Sequence, residues 1–208
     1  MPRIIGDVHG KIDKYINIAL GSVDGYSIQV GDMGFDYSKL SAINPNYAKF
    51  IPGNHDNYNV CFNEPHCITS DTGNFHFGNA VLGKYKFFFI RGERSIDESD
   101  RILGRDFFYE EELNYDQSIQ LINCYTEAKP DVVISHGCPE SIIIPMFGQA
   151  KYKGQLIKPS STAHLLQACF EIHQPKHWFF GHYHKTKCFK KNKTQFLCLA
   201  ELNYIDVE

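Results

Sequence analysis

The sequence predicts an α/β fold with parallel strands, and two patterns support this prediction. Short apolar runs typical of strands occur at 3–5, 26–30 and 48–51, and residues 11–20 place apolar side chains at helical spacing between the first two. Each apolar run is followed closely by glycine and polar residues. This strand–helix–strand–helix–strand rhythm favours a parallel layer covered by helices.

The remainder of the chain mixes strand and helix patterns. Further strands are predicted at 75–92, where two or three fit, at 131–135, at 177–181 and in a hairpin at 187–202 that turns at Lys191–Lys193. Asn114 is a candidate N-cap with Gln117 three residues on, and Pro130 ends the helix that it begins. A second helix runs from Ser160 to 172, whereas 139–159 is predicted to be irregular.

Length and composition predict one soluble domain over residues 1–208. Hydrophobic residues make up 43% of the chain and charged residues 22%, which is the ordinary globular range. The net charge of −3 gives no sign of a nucleic-acid or anionic-membrane binder. Seven cysteines without a C-x-x-C pair argue against a disulfide framework. With no signal-like or membrane-spanning run, a cytoplasmic location is expected.

Metal-capable side chains follow the ends of five predicted strands. The segments are "GDVHG", "GDMG", "GNHD", "SHG" and "GHYH". They contain Asp7, His9, Asp32, Asn54, His136, His182 and His184. In open α/β sheets, ligands bind just beyond the carboxyl ends of the strands, so these side chains are expected to share one site.

The chemistry of this set indicates a site for two metal ions. Carboxylate, amide and imidazole ligands without cysteine suit Mn²⁺ first, with Fe, Zn²⁺, Ni²⁺ or Mg²⁺ as alternatives. Seven ligands are too many for one ion that keeps an open position, and they suit two divalent ions about 3.5–4 Å apart that share a carboxylate. Two such ions keep net positive charge beside the two aspartates, as an anionic phosphate ester requires.

The ordered pattern D-x-H, G-D, G-N-H-[DE], H and G-H-x-H resembles the calcineurin-like metallophosphoesterase superfamily. All five parts are present between residues 7 and 184. The resemblance implies a two-sheet β-sandwich flanked by helices, with the metal site at one rim. It also implies a hydrolase of phosphate esters.

Carried over by motif, the resemblance assigns a role to each residue. Asp7, His9 and His184 would hold one ion, Asn54, His136 and His182 the other, and Asp32 would bridge them. A bridging hydroxide would attack phosphorus. His55 would be the general acid that protonates the leaving oxygen, or would hold the phosphate. A histidine next to a ligand, with a pKa near neutrality, also suits proton transfer on chemical grounds.

The chain departs from the protein-phosphatase pattern "GDxVDRG". In "GDMGFDY", Phe35 stands where that pattern has its second aspartate, and Asp36 follows one residue later. Either Asp36 or Asp56 would then orient His55. The phosphate-gripping arginine of that pattern is also missing, and Arg91 is the first candidate to replace it, with Arg94 and Arg101 as alternatives.

The expected substrate is a small phosphate ester or nucleotide, with a phosphoprotein as an alternative. The sequence alone favours neither monoesterase nor diesterase activity over the other. A protein Ser/Thr phosphatase is one alternative function. The other is a non-catalytic scaffold like the retromer subunit of the superfamily, which predicts eroded ligands, whereas all seven are present here.

Overall fold

The structure is a computed structural model, and it describes residues 2–207. Its strands are β1 (Arg3–Ile5), β2 (Ser27–Gln29), β3 (Ala48–Phe50), β4 (Phe77–Leu82), β5 (Tyr85–Ile90), β6 (Val132–Ser135), β7 (Lys151–Tyr152), β8 (Gln155–Leu156), β9 (His177–Phe180), β10 (Lys187–Lys191), β11 (Thr194–Cys198) and β12 (Tyr204–Asp206). Its α-helices are α1 (Ile12–Leu20), α2 (Tyr115–Ala128), α3 (Glu140–Phe147) and α4 (Ser161–Ile172).

The strands form two main sheets and one small hairpin. The first sheet has the order β12-β1-β2-β3, and β12 is its antiparallel strand. The second sheet has the order β10-β11-β9-β6-β5-β4, with parallel strands in the centre and antiparallel strands at both edges. Hairpin β7–β8 stands apart from both sheets. The two-sheet α/β architecture with flanking helices is the predicted fold class.

Alternation along the strands builds the core on both faces of each sheet. Ile4 faces the second sheet, where it joins a cluster with Phe87 and Phe89, while its neighbour Ile5 faces α1. On the second sheet, Phe88 turns away from Phe87 and packs under α2 and α4. Because successive side chains of a strand point to opposite faces, two apolar faces on each sheet require a helix–sheet–sheet–helix stack.

Local signals in the sequence account for the helix ends. Asn114 accepts from the Gln117 backbone N–H, and Gln117 bonds back to Asn114, so the predicted capping box caps α2. Ser160 caps α4 as predicted. Helix α2 ends at Ala128, and Lys129, the residue directly before Pro130, has left-handed backbone.

Two local predictions are wrong. Residues 140–147 form α3 instead of irregular chain, and Pro145 inside that helix obscured its pattern. Between β2 and β3, the predicted second helix is only a short 3₁₀ turn at Ser38–Ala42. Within residues 2–207, no helix combines the length and hydrophobicity needed to span a bilayer.

Candidate metal centre

The loops after five strands meet at one rim of the molecule. The loop after β1 is tied to the loop after β2, because Val8 and His9 both donate their backbone N–H groups to the Asp32 carbonyl at 2.9 and 2.8 Å. The loop after β9 is tied to that after β6 through Gly181 N to His136 O at 3.1 Å. The carboxyl ends of parallel strands from both sheets therefore place their polar side chains together.

Three of the predicted ligands form one group. The ligand atoms of Asp7, His9 and His184 all lie within 4.8 Å of one another. Asp7 Oδ2 is 3.9 Å from His9 Nε2 and 4.0 Å from His184 Nδ1. Asp7 is fully buried, and its carboxylate accepts from the His182 backbone N–H at 3.1 Å. The group offers two imidazole nitrogens and one carboxylate to a common point.

A second group lies beside the first. Asn54 Oδ1 is 3.1 Å from His136 Nε2 and 2.9 Å from His182 Nδ1. His136 Nδ1 donates to the Val30 carbonyl at 2.9 Å, so its Nε2 is the nitrogen left to face Asn54. Neighbouring ligands of an ion with bonds of about 2.1 Å and right-angle geometry are about 3 Å apart, and this spacing matches.

Asp32 stands between the two groups. Its Oδ1 lies 3.1 Å from His136 Nε2, and its Oδ2 lies 3.8 Å from His9 Nε2. Both Asp32 Oδ2 and His9 Nε2 are buried without a hydrogen-bond partner. Because unpartnered buried polar atoms are costly, this pair fits a cation that would satisfy both. The donor set therefore fits divalent ions.

Glycines bring the backbone close to these side chains. A Cβ at Gly53 would lie 2.3 Å from Asp32 Oδ1, and one at Gly181 would lie 2.0 Å from Asp7 Oδ1. Neither distance is sterically tolerable, so both positions require glycine. The glycines of "GNHD" and "GHYH" thus allow their loops to pack directly on the carboxylates.

Burial and charge oppose each other inside the cluster. Burial raises the pKa of Asp7, and the nearby Asp32 charge adds to the rise. Burial alone would lower the pKa of His136, but the Asp32 carboxylate outweighs it and raises that pKa to about 10. Burial lowers the pKa of His182 to about 3. Two buried carboxylates therefore stand among imidazoles and attract positive charge to the cluster.

Four of the predicted ligands have left-handed backbone. The φ angles are 48° at His9, 62° at Asp32, 66° at His182 and 50° at His184. Such angles are uncommon outside glycine and cluster at functional sites. The turns after β1, β2 and β9 therefore hold strained residues that face the same point.

His55 contacts Arg101, which the sequence predicted only as an alternative phosphate-binding residue. Arg101 Nη2 lies 2.7 Å from His55 Nε2, and Arg101 Nε donates to Asp97 Oδ1 at 2.8 Å. Burial lowers the pKa of His55 to about 4, and the Arg101 charge contributes to the fall. Since a guanidinium only donates, Nε2 accepts and the proton of the neutral ring lies on Nδ1. The i, i+4 spacing of Asp97 and Arg101 is a local signal of their ion pair, but the contact between Arg101 and His55 has no such signal.

Neither predicted carboxylate orients the His55 ring. Asp56 is fully buried, and its carboxylate accepts from the backbone N–H groups of Asp32 at 2.9 Å and Gly53 at 2.7 Å and from the Tyr37 hydroxyl at 3.0 Å. Asp36 accepts from the Ser38 backbone N–H on the surface. Asp56 therefore joins the loops after β2 and β3 and is placed away from the reacting groups.

Arg91 does not reach the site. It is 1% exposed, and its guanidinium donates to His76 Nδ1 at 2.8 Å and to the Glu110 carbonyl. It also lies 5.0 Å above the ring of Tyr58. The prediction that Arg91 grips phosphate is corrected on this ground, because all of its faces are covered by protein. Arg94 and Arg101 do line the cavity described next.

A cavity of about 700 Å³ opens against the cluster. Asp32, Asn54, His55, His182 and His184 line one end of it. Residues of helix α3, the β7–β8 hairpin and the loop that follows also line it. The cluster can therefore be reached by a ligand of the size that protein pockets commonly bind, about 300–1,000 Å³.

Comparison with known proteins places this geometry in a family. Residues 3–186 match the model of the calcineurin-like phosphoesterases. No curated protein matches the chain. The described structure shares 14% identity with a conserved uncharacterised protein from Streptococcus pneumoniae TIGR4 described as a predicted phosphoesterase, at a TM-score of 0.42 over 96% of this chain and 72% of that one.

A second solved structure is GAP50 of Plasmodium, described as the anchor in the inner membrane complex. It is 13% identical, with a TM-score of 0.48 over 95% of this chain and 71% of that one. At such identities neither likeness bears on activity. The family model, by contrast, spans the five motifs and the strands from β1 to β9, and the family hydrolyses phosphate esters with divalent metals. The chain belongs to the calcineurin-like phosphoesterase family and is a metal-dependent phosphoric ester hydrolase.

Proposed function

We propose that the chain hydrolyses phosphate esters at a site for two divalent ions, with Mn²⁺ as the first candidate. The observation that carries the proposal is the position of Asp32 between the two ligand groups, with Oδ2 and His9 Nε2 buried and unpartnered. Asp7, His9 and His184 would hold one ion, and Asn54, His136 and His182 the other. When bound, two such ions lower the pKa of water and neutralise charge that develops on phosphorus.

The chain's own residues then have separate tasks. Asp32 holds both groups in register, since its carboxylate faces each of them. Asn54 adds a neutral oxygen, so the site keeps more positive charge for an anionic ester than a third carboxylate would leave. His55 contacts the ester and donates a hydrogen bond from its Nδ1–H to the leaving oxygen, because Arg101 occupies Nε2 and the ring is neutral. The bond stabilises the negative charge that develops on this oxygen, and solvent water protonates it after it departs.

The experiment is a hydrolysis assay of p-nitrophenyl phosphate and bis-p-nitrophenyl phosphate with protein purified in Mn²⁺. We expect metal-dependent hydrolysis, its loss in Asp32→Asn, and a ratio of the two rates that separates monoesterase from diesterase. His55→Ala should lose most activity on alkyl esters, whose leaving oxygens develop the most negative charge and need the hydrogen bond from His55, and less on nitrophenyl esters.

Two results would contradict the proposal. Absence of metal-dependent hydrolysis with every ester would favour a non-catalytic scaffold. A single ion per chain at saturation would remove the bridging role of Asp32.

A further inference from the structure

Part of the lining of the cavity beside the metal centre is apolar, and we call it the apolar wall. It consists of Ile143, Ile144 and Phe147 on α3, Leu156 in β8 and Ile157 directly after β8. Ile144 is 63% exposed and Leu156 is 51% exposed. Exposed apolar side chains scattered singly are ordinary, but five apolar side chains that line one cavity indicate a binding surface.

Cationic side chains stand at the rim of the same cavity. Arg94, Lys158 and Lys185 all line it, and Arg94 Nη2 donates to the Lys158 carbonyl at 2.9 Å, which holds the loop after β8 against the loop after β5. Two acidic side chains of the lining are paired, Asp97 with Arg101 and Glu140 with His164, and a third, Glu93, is only 3% exposed. The rim therefore favours an anionic ligand.

We propose that this apolar wall binds the organic group of the substrate, and that the substrate is a small phosphate ester with an apolar group of about naphthyl or nucleoside size. This inference rests on the proposed function, because phosphorus must lie at Asp32, Asn54 and His55. Those residues line the same cavity as Ile144 and Leu156, so an ester held at the ligands extends its organic group along the wall.

The shape of the site argues against a folded phosphoprotein. A cavity of about 700 Å³ surrounds a small molecule. A phosphorylated side chain that reaches the ligands would leave most of the wall uncovered. Covering that wall with the substrate's own apolar group removes apolar surface from water on both partners, which favours binding.

The test measures binding apart from catalysis. Phosphonates have a C–P bond that ester hydrolysis does not cleave, so calorimetry with Mn²⁺-loaded protein can compare 2-naphthylphosphonate with methylphosphonate. We expect the naphthyl compound to bind about ten-fold or more tightly, given the apolar area that it would bury. Ile144→Ser and Leu156→Ser should each weaken naphthyl binding about five-fold and leave methyl binding unchanged.

Ile119→Ser is the matched control, because Ile119 is 45% exposed on α2, away from the cavity. Equal binding of the two phosphonates, or naphthyl binding that is indifferent to both wall variants, overturns the inference. Hydrolysis of methyl and 2-naphthyl phosphate at equal kcat/KM also overturns it while the proposed function stands. Tight, wall-dependent phosphonate binding without any ester hydrolysis supports the wall and contradicts the proposed function instead.

Discussion

Arg101 Nη2 lies 2.7 Å from His55 Nε2, so a guanidinium holds the ring that is proposed to donate a hydrogen bond to the leaving oxygen. The same guanidinium is fixed by Asp97 Oδ1 at 2.8 Å and by the Asn54 carbonyl at 3.1 Å. The His55 imidazole cannot rotate about its Cβ–Cγ bond without losing the hydrogen bond from Arg101. Arg101 is therefore a positioning residue for His55.

Arg101→Met is expected to lower kcat about ten-fold or more for alkyl phosphates and less for nitrophenyl phosphate, because poor leaving groups depend most on the hydrogen bond from His55. Arg101→Lys should recover part of the loss, since one ammonium can still donate to Nε2. The measurement is a rate series over esters of rising leaving-group pKa.

Arg105→Met is the control for the arginine series, because Arg105 is exposed and pairs with its neighbour Asp106. The Mn²⁺-induced rise in Tm should stay the same in Arg101→Met, which would show that Asn54 still binds its ion. An equal loss for good and poor leaving groups would contradict the positioning role.

Metal binding should stabilise the fold through Asp32. We expect Mn²⁺ at about 100 times its Kd to add about 3 kcal/mol per site to the free energy of unfolding. In a domain of this size, that corresponds to a rise in Tm of about 2–4 °C per kcal/mol. Asp32→Asn should lose most of the rise, and Asp36→Asn, four residues on and exposed, should keep it. A full rise in Asp32→Asn would be inconsistent with its proposed place between the ions.

Asp56 is expected to matter for stability through the loops that it joins. Asp56→Ala leaves the N–H groups of Asp32 and Gly53 and the Tyr37 hydroxyl without their acceptor, which should lower the free energy of unfolding by about 3–5 kcal/mol. Asp36→Ala removes one exposed bond to Ser38 and should cost about 1 kcal/mol or less. Urea unfolding of both variants measures these free energies. An Asp56→Ala variant that is as stable as wild type but inactive would contradict the structural role and would favour a catalytic role for Asp56.

Glu93 should make stability depend on pH. It is buried, and burial raises its pKa from 4.5 to about 7. Between pH 4.5 and 7, the Glu93 carboxyl therefore keeps its proton in the native state but has released it in the unfolded chain. The contribution of Glu93 to the free energy of unfolding is thus complete below pH 4.5 and is lost as pH rises through 7. Glu93→Gln stays neutral at every pH and should gain on the order of 3 kcal/mol over wild type between pH 4 and 8.

The measurement is urea unfolding of both proteins at several pH values. The other buried carboxyl groups are present in both proteins, so the difference between them isolates Glu93. Parallel pH profiles for wild type and Glu93→Gln would show that the Glu93 carboxyl titrates as it does in the unfolded chain.

The sequence was sufficient to predict most strands of the two main sheets, though not β12, and to predict that the candidate ligands gather at one rim, because both depend on short-range patterns. Apolar runs locate β1, β2, β3, β6 and β9, and parallel strands bring their carboxyl ends to one rim whatever the packing details. The same rule failed for Arg91. It follows β5, but Gly92, with φ of 78°, turns the chain there and leaves the guanidinium in the core.

Other features depend on contacts between distant residues. Arg101 meets His55 across 46 positions, and Asp56 meets Asp32 across 24. Neither separation has a local signature, since the loops that carry these residues have no period. Helix α3 was hidden for a different reason, because Pro145 lies inside it.

Strain in this protein is concentrated where ligands are proposed. Among residues 2–207, eight non-glycine positions have positive φ, and His9, Asp32, His182 and His184 are four of them. Glycine or asparagine would adopt these angles at lower cost. Selection for thermal stability of the metal-free protein would therefore favour other side chains at those four positions. Directed-evolution screens that reward only a higher Tm without added metal are expected to lose the metal centre first.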